Sequence, residues 1–314
     1  MYKHLFGPVP SRRLGMSLGV DLIPHKICSL NCVYCECGGT TTLTGERKEY
    51  VPVNEVYEEL KNYFGTHPDP DYVTFSGAGE PSLHSHLGEV IAFLKDLRPS
   101  LPLAVLSNGT LFGDPDVRRE LMLADLVLPS LDAATEGALR RINRPLRSIR
   151  PVEYIGGLIS FSKEFTGEIW LEILILPGYN DDPENLKALK DALKRIRPHR
   201  IQLNTLDRPG AVGGLWPATH AHLQEIADYF DLEQVEIIAP PEELNKVKSH
   251  RADLEAVIVE TLSRRPCTLE DLEKILALPL QQIQQHLNKL KESGRIETIL
   301  QERGTFYQLR SEET

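Results

Sequence analysis

Cysteine is scarce in this chain: five in 314 residues, none before position 28. Long apolar runs are missing as well. No stretch approaches the ~18 uninterrupted apolar residues that a membrane-spanning helix needs, so no membrane segment is expected. The opening stretch MYKHLFGPVPSRRLG lacks both an apolar core of signal-peptide length and a small-residue cleavage site. It reads as mature sequence, and the expected location is the cytoplasm, where thiols stay reduced. Basic excess is also lacking. Lys and Arg number 35 against 45 Asp and Glu, a net charge of −10, which argues against a broad nucleic-acid footprint while leaving room for a local basic patch. There are no internal repeats and no low-complexity tracts. What remains is 41% hydrophobic by count, enough for a large domain with a core and a smaller one beside it.

From about residue 18 to 238 short β-rich runs alternate with amphipathic helical patterns. The runs are LGVDLIP, DYVTFSG, LPLAVLSNG, DLVLPSLD, EIWLEILI, RIQLNTL and VEII. Most are continuously apolar, as expected of strands covered on both faces. Between them, Asn54 is a plausible N-cap for one helix. A second helix spaces Leu87, Ile91 and Leu94 along one face. A third opens on an acidic cap and Pro183, with Leu186, Leu189 and Leu193 turned inward. Such alternation implies a parallel sheet with crossover helices, in a barrel, a partial barrel or an open doubly wound form. Residues 239–250, APPEELNKVKSH, read as a boundary. Three helices follow, the second opened by a capping box of Thr268 and Asp271 and the third ended by Gly294. A short hairpin around Gly304 completes the helix-turn-helix-plus-wing pattern.

Four of the five cysteines fall within KICSLNCVYCECG, residues 26–38, directly after the first run. Cys28, Cys32 and Cys35 are spaced C-x3-C-x2-C, and Cys37 follows. Thiolates select zinc, copper(I) or iron–sulfur clusters. Structural zinc wants four ligands, often as two distant C-x2-C pairs; this chain has one pair and no distant C-x-x-C or H-x3-H, and Cys37 would make a tight bite as fourth ligand. An iron–sulfur cube held by three cysteines leaves one iron open. Redox-active or inert thiols are the remaining reading. Cys267, at the start of a tail helix, reads as a buried small hydrophobe.

CSLNCVYC resembles the C-x3-C-x-aromatic-C signature of the radical S-adenosylmethionine (SAM) superfamily, and the resemblance covers roughly residues 1–240. It implies a partial (β/α)6 barrel over 1–240; the boundary and tail patterns above add a linker at 241–250 and a small winged-helix-like domain over 251–314. It implies a [4Fe–4S] cluster on Cys28, Cys32 and Cys35, with SAM on the fourth iron. It also implies a reductant such as flavodoxin or ferredoxin, and an oxidoreductase chemistry in which a 5′-deoxyadenosyl radical takes hydrogen from a substrate.

In parallel α/β folds chemistry collects at the C-terminal ends of strands. SGAGEPSLH by itself is a tight turn after a strand. Beside the cysteine loop it resembles the superfamily's glycine-glycine-glutamate turn, so Gly77, Ala78, Gly79 and Glu80 are expected to position the methionyl amino group. The resemblance further implies Tyr34 beside the adenine, Asn108 at the nucleoside, and Ser130 and Asp132 at the methionyl carboxylate and ribose. By default Asn108 makes a turn, and Ser130 and Asp132 cap a helix. Glu172, among apolar residues, needs a partner. Asn204 and Arg208 bind substrate or close the barrel. Arg12 and Arg13 form a solvated pair or an anion site, and Arg144, Arg147 and Arg150 carry the same two readings.

FGPVPSRRLG, SGAGEPSLH, INRP and QLNTLDRP together resemble the branch related to wyosine base synthases, which build a tricyclic base on tRNA. Those synthases carry a second cluster on additional N-terminal cysteines, and no cysteine precedes Cys28 here. The expectation is therefore a related enzyme acting on an RNA base, a peptide or a metabolite. The tail has two readings. Gln281, Gln282, Gln284, Gln285, His286 and Asn288 on its third helix would reach bases in a nucleic-acid reader. However, nine Lys and Arg against eleven Asp and Glu over residues 250–314 favour docking or protein contact. The rival to the enzyme is an iron–sulfur transcriptional sensor with the winged helix as its reader.

Overall fold

The computed structural model describes residues 2–11, 13–238, 254–276, 278–301 and 303–310. Arg12 and the expected linker at 241–250 lie outside them.

The chain opens with an antiparallel hairpin of β1 (Leu5–Ser11) and β2 (Gly15–Val20). The cysteine loop follows, its base closed by two short parallel strands, β3 (Ile27–Cys28) and β4 (Thr42–Leu43). Alternation then sets in: α1 (Val53–Thr66), β5 (Tyr72–Phe75), α2 (Leu87–Leu97), β6 (Leu103–Ser107), α3 (Pro115–Glu120), β7 (Leu126–Pro129), α4 (Glu136–Ile142), α5 (Pro151–Glu164), β8 (Glu168–Leu174), α6 (Pro183–Ile196), β9 (Arg200–Asn204), α7 (His220–Phe230) and β10 (Val235–Ile237). Eight strands form one sheet in the order β1-β2-β5-β6-β7-β8-β9-β10. Every pairing from β2 to β10 is parallel. β1 and β10 are its edges, so the sheet is open rather than a closed barrel.

The central strands are mostly apolar because both their faces are covered. On one face Val73, Phe75, Val105 and Val127 join the main core with Leu60, Ile91, Leu158 and Phe161 from the helices. On the other, Ala104, Leu126, Leu128 and Trp170 close around Leu14 from the β1–β2 turn. Beside Leu14, Arg13 pairs with Glu172 and donates to Gln202 Oε1 at 2.9 Å. Arg13 is therefore neither solvated nor a free anion site. It is the partner that the half-buried Glu172 requires.

Local chemistry sets the helix starts. Asp182 Oδ1 accepts Asn185 N–H at 3.0 Å, and Pro183 occupies the first turn of α6. Leu189 and Leu193 are buried as expected, but Leu186 is only partly so. Its neighbour Asn185 is fully buried, accepting the Ala134 and Thr135 amides at 2.9 and 3.2 Å. α1 starts one residue before the expected Asn54 cap, because Glu49 reaches back to the Val53 amide at 2.8 Å and Pro52 fixes the preceding turn.

The tail comprises α8 (Leu254–Arg264), α9 (Leu269–Leu276), α10 (Leu280–Glu292) and an antiparallel hairpin of β11 (Ile296–Gln301) and β12 (Gly304–Leu309). It has its own core of Ile258, Leu262, Leu272, Ile283, Leu287 and Ile296. Cys267 is fully buried there, exchanging two backbone bonds with Tyr307. Asp271 Oδ2 accepts Thr268 N–H at 3.0 Å and Thr268 Oγ accepts Asp271 N–H at 3.1 Å, the capping box foreseen. Gly294, at φ +73°, ends α10.

The tail is bolted to the sheet's loops. Arg208, after β9, donates to Asp271 Oδ2 at 2.6 Å and to the Pro266 carbonyl at 2.8 Å. Arg303 pairs with Asp271 at 2.6 Å and with Asp207 at 3.3 Å. Arg208 therefore joins the tail to the sheet and does not face open space. Breaking a buried pair from one side typically costs 3–5 kcal/mol, and Arg303 remains to hold Asp271. Arg208→Met is expected to loosen the tail by about 3 kcal/mol. The readout is amide exchange: faster in α9 and β12 and unchanged in β5–β7. Unchanged exchange in the tail would show that the pair does not anchor it.

Candidate active site

The cysteine loop leaves β2 and folds over the C-terminal ends of the strands. Its backbone is tied to the end of α4, with Asn31 N–H to Asn143 O and Val33 N–H to Ile142 O, both 2.9 Å. Cys28, Cys32, Cys35 and Cys37 are all partly exposed free thiols. Three of them have a nitrogen donor from a different part of the chain. Asn108 Nδ2, at the end of β6, reaches Cys28 Sγ at 3.5 Å. Asn143 Nδ2, after α4, reaches Cys32 Sγ at 3.4 Å, and Lys26 Nζ reaches Cys35 Sγ at 2.9 Å. Cys37 differs: its thiol points to the Arg264 carbonyl of the tail at 3.2 Å. Burial pushes the Cys28 thiol up to about 11 and raises that of Cys32 as well. Cys35 is lowered to about 5 by a hydrogen bond from Cys37 and by Lys26, against burial.

The turn after β5 nests on the residues leaving β2. A Cβ at Gly77 would collide with the Asp21 carboxylate, and one at Gly79 with Ile23 and the Ile27 carbonyl. Both glycines are thus demanded by the chain's own close packing. Asp21 Oδ2 accepts the Ala78 amide at 3.2 Å and the Arg264 guanidinium at the same distance. Glu80 turns away from the opening. Its carboxylate is 3% exposed and accepts Ser82 N–H (3.0 Å), Ser82 Oγ–H (2.6 Å), Ser107 Oγ–H (2.7 Å) and Asn108 N–H (2.7 Å). Burial raises its pKa despite those four donors.

At the end of β7, Asp132 is 2% exposed and holds three donors: the Tyr34 hydroxyl, Asn143 Nδ2 at 2.7 Å and the Leu174 amide at 2.8 Å. It caps no helix; Thr135 caps α4. Asn143 thereby spans Asp132 and Cys32, and its Oδ1 is buried without a partner. The Ser130 carbonyl accepts the Tyr154 hydroxyl, which also donates to the Asn108 carbonyl at 2.6 Å. Tyr34 and Asp132 thus form one set of bonds that reaches Cys32 through Asn143, and Asn108 with the Ser130 carbonyl and Tyr154 forms a second that reaches Cys28. Asn204, at the end of β9, is buried; its carbonyl accepts Ile175 N–H from the end of β8 and its side chain accepts Thr205 N–H. Arg144 takes a left-handed conformation (φ +44°) in the turn after α4, and Arg150 pairs with Glu136 at 3.5 Å on the surface. Among the described residues no three His, Cys, Asp or Glu side chains surround a single point as one metal ion requires.

The family model of the radical SAM superfamily matches residues 22–189, more than half of the chain. The chain belongs to the radical SAM superfamily. Members are generally enzymes, and their cofactors are SAM and a [4Fe–4S] cluster. A protein of Brachyspira hyodysenteriae named GTPase Obg is 34% identical over 295 residues, 94% of this chain and 43% of that protein. This chain itself contains no GxxxxGK[ST] phosphate loop. A UPF0026 protein of Synechocystis is 39% identical over 206 residues, covering 65% of this chain and 76% of that one. A UPF0026 protein of Methanocaldococcus jannaschii is 36% identical over 206 residues, covering 65% and 64%. The chain thus spans less than half of one of these relatives and about two thirds to three quarters of the others. In fold, it is similar to a radical SAM methyltransferase from Sphaerobacter thermophilus, with TM-score 0.54, 15% identity, and 70% and 65% of the two chains covered. Among the described residues no helix is long and apolar enough to cross a membrane.

Sequence reasoning missed Lys26, Asn143, Tyr154 and Asp21. Lys26 and Asn143 sit inside stretches singled out for other residues, KICSLNC and INRP. No one-dimensional signal marks Tyr154.

Asp132 yields a pH dependence. Burial lifts its carboxyl from 3.8 to about 6. Between those values the folded chain keeps a proton that the unfolded chain has lost. Stability of the metal-free protein should therefore fall as pH rises from about 4 to about 6 and then level off, by about 3 kcal/mol at 1.36 kcal/mol per pKa unit. Urea unfolding across pH 4–7 should show this component in the wild type and lack it in Asp132→Asn. Identical slopes would place the titration elsewhere.

Proposed function

We propose that Cys28, Cys32 and Cys35 each hold one iron of a [4Fe–4S] cluster, leaving the fourth iron to the amino and carboxylate groups of SAM. The chain would then be an enzyme that cleaves SAM reductively to abstract hydrogen from a substrate. The observation that carries this reading is the donor set: three thiols on one loop, each with its own N–H partner, over the strand ends of a superfamily sheet. Soft thiolates with N–H···S bonds suit iron–sulfur ligation. A cube also does not require them around one point, because each thiolate takes its own iron.

When bound, the cluster supplies one electron to the SAM sulfonium, the source of a 5′-deoxyadenosyl radical. The chain's own residues orient and shield. Asn108 holds Cys28 and Asn143 holds Cys32. The Gly77–Glu80 turn, fixed by Asp21 and by the four donors on Glu80, presents its backbone beside the loop to the methionyl amino group. Tyr34, its hydroxyl anchored on Asp132, keeps its ring in place for the adenine. The unpaired Asn143 Oδ1 offers an acceptor to a donor of the bound nucleoside or amino acid moiety. Ser130 and Asp132, at the end of the same strand, serve the carboxylate and ribose. A flavodoxin- or ferredoxin-type protein is the proposed electron source.

The wyosine-related branch is supported by sequence stretches alone. The tail is proposed as a docked winged-helix-like unit. Arg208, Asp271 and Arg303 support docking, as does the contact of Arg264 with Asp21 and Cys37. The sensor reading draws on the exposed Gln281, Gln282, Gln285 and Asn288 of α10, but an acidic tail is poorly suited to phosphates.

Anaerobically reconstituted, dithionite-reduced protein should convert SAM to 5′-deoxyadenosine and methionine. Single changes of Cys28, Cys32 or Cys35 to Ala should reduce the yield at least about 100-fold, the scale of losing a required catalytic group. Undiminished cleavage in the triple variant would refute the ligand assignment. Salt-sensitive duplex binding that follows cluster oxidation, without SAM cleavage, would favour the sensor.

A further inference from the structure

Of the three donors to the thiols, Lys26 alone carries a charge. It is 4% exposed, and its ammonium donates to Cys35 Sγ at 2.9 Å. Its backbone is pinned on both sides by Thr41, whose hydroxyl accepts Lys26 N–H at 3.2 Å and donates to Lys26 O at 2.9 Å. The side chain is therefore not a mobile surface lysine that strays onto a sulfur. A buried ammonium is costly unless paired, and its partner here is a thiol proposed to bind iron.

Two buried carboxylates stand behind the donors of the other ligands: Glu80 accepts from Asn108 and Asp132 from Asn143. Cys28 and Cys32 receive neutral amides, from Asn108 and Asn143. Net charge and hydrogen bonds to the sulfurs are among the factors that set an iron–sulfur potential. Reduction from [4Fe–4S]2+ to [4Fe–4S]1+ adds one electron from an external reductant and no proton, so the site becomes more negative by one charge. A fixed cation at contact distance in a dry setting favours that reduced form.

We propose that Lys26 is a positioning residue for electron entry: its buried ammonium against Cys35 raises the cluster's reduction potential. This rests on the assignment of Cys35 as an iron ligand. It goes further in naming the cation that makes the electron easier to accept from a protein reductant.

The test is an equilibrium redox titration of the reconstituted full chain, without SAM, followed by the paramagnetic signal of the reduced cluster. Iron and sulfide content are measured for each variant. At the potential where wild type is half reduced, Lys26→Met is expected to show a reduced-to-oxidised ratio at least about tenfold lower, equivalent to about 59 mV for one electron. Lys26→Arg, which keeps the cation, should stay within about threefold of wild type by the same relation. Equal ratios in wild type and Lys26→Met would overturn the proposal. Should Lys26→Met take up no iron, Lys26→Gln is compared with Lys26→Arg, and equal potentials in that pair overturn it too. Wild-type protein that forms no [4Fe–4S] cluster would instead defeat the ligand assignment, and the role of Lys26 with it.

Discussion

Three sulfurs on one loop are each held by a nitrogen from a different place: Asn108 at the end of β6, Asn143 after α4, and Lys26 at the loop's own entrance. The rest of the site depends on this constraint. A ten-residue loop carrying four thiols would otherwise collapse in many ways, since nothing in its backbone alone aims the sulfurs. The donors aim them, and each donor is itself fixed. Asn108 also donates from its backbone to Glu80, Asn143 donates to Asp132, and Lys26 is clasped by Thr41. Two buried carboxylates, Glu80 and Asp132, are therefore best understood as struts. Their oxygens are engaged by the protein's own donors, and each organises a residue that reaches a cysteine.

The sheet makes this possible because it is buried on both faces. Its helix-covered face forms the main core. Its other face is filled near one end by Leu14, with Arg13 paired to Glu172 beside it. The β1–β2 turn thus corks the inner face away from the cysteine loop and leaves the C-terminal strand ends to the chemistry. The tail closes from another side. Arg208 and Arg303 converge on Asp271, and Arg264 meets Asp21, the residue that also occupies the space beside Gly77. The appended unit consequently touches the turn and the loop where the cofactors are proposed to sit.

Much of the fold was legible in the sequence because its determinants are local. All seven strand runs formed, being apolar and bounded by turn residues. Asp182 with Pro183, and Thr268 with Asp271, announced their helix starts. The Asn54 start failed because Glu49, four residues before the helix, supplied the cap instead. The site was legible only where residue type and spacing carry the chemistry, as for Cys28, Cys32 and Cys35. Lys26 and Asn143 stood in plain view but acquire meaning through contacts 9 and 111 residues away. Arg13 and Arg208 had two open readings each, and the structure gives each a different role, as partner of Glu172 and as partner of Asp271. Gly77 and Gly79 were expected beside the methionyl amino group; the structure adds that each also packs closely on the chain itself, against Asp21, Ile23 and the Ile27 carbonyl.

The central claim is that three thiolates leave one iron of a cluster open and that SAM takes it. Electron–nuclear double resonance on the reduced protein with SAM labelled by nitrogen-15 at its amino group and oxygen-17 at its carboxylate tests this most directly. The account predicts strong hyperfine couplings from both labels, as expected for atoms bonded to iron. A well-formed cluster that shows neither coupling at saturating SAM would contradict it.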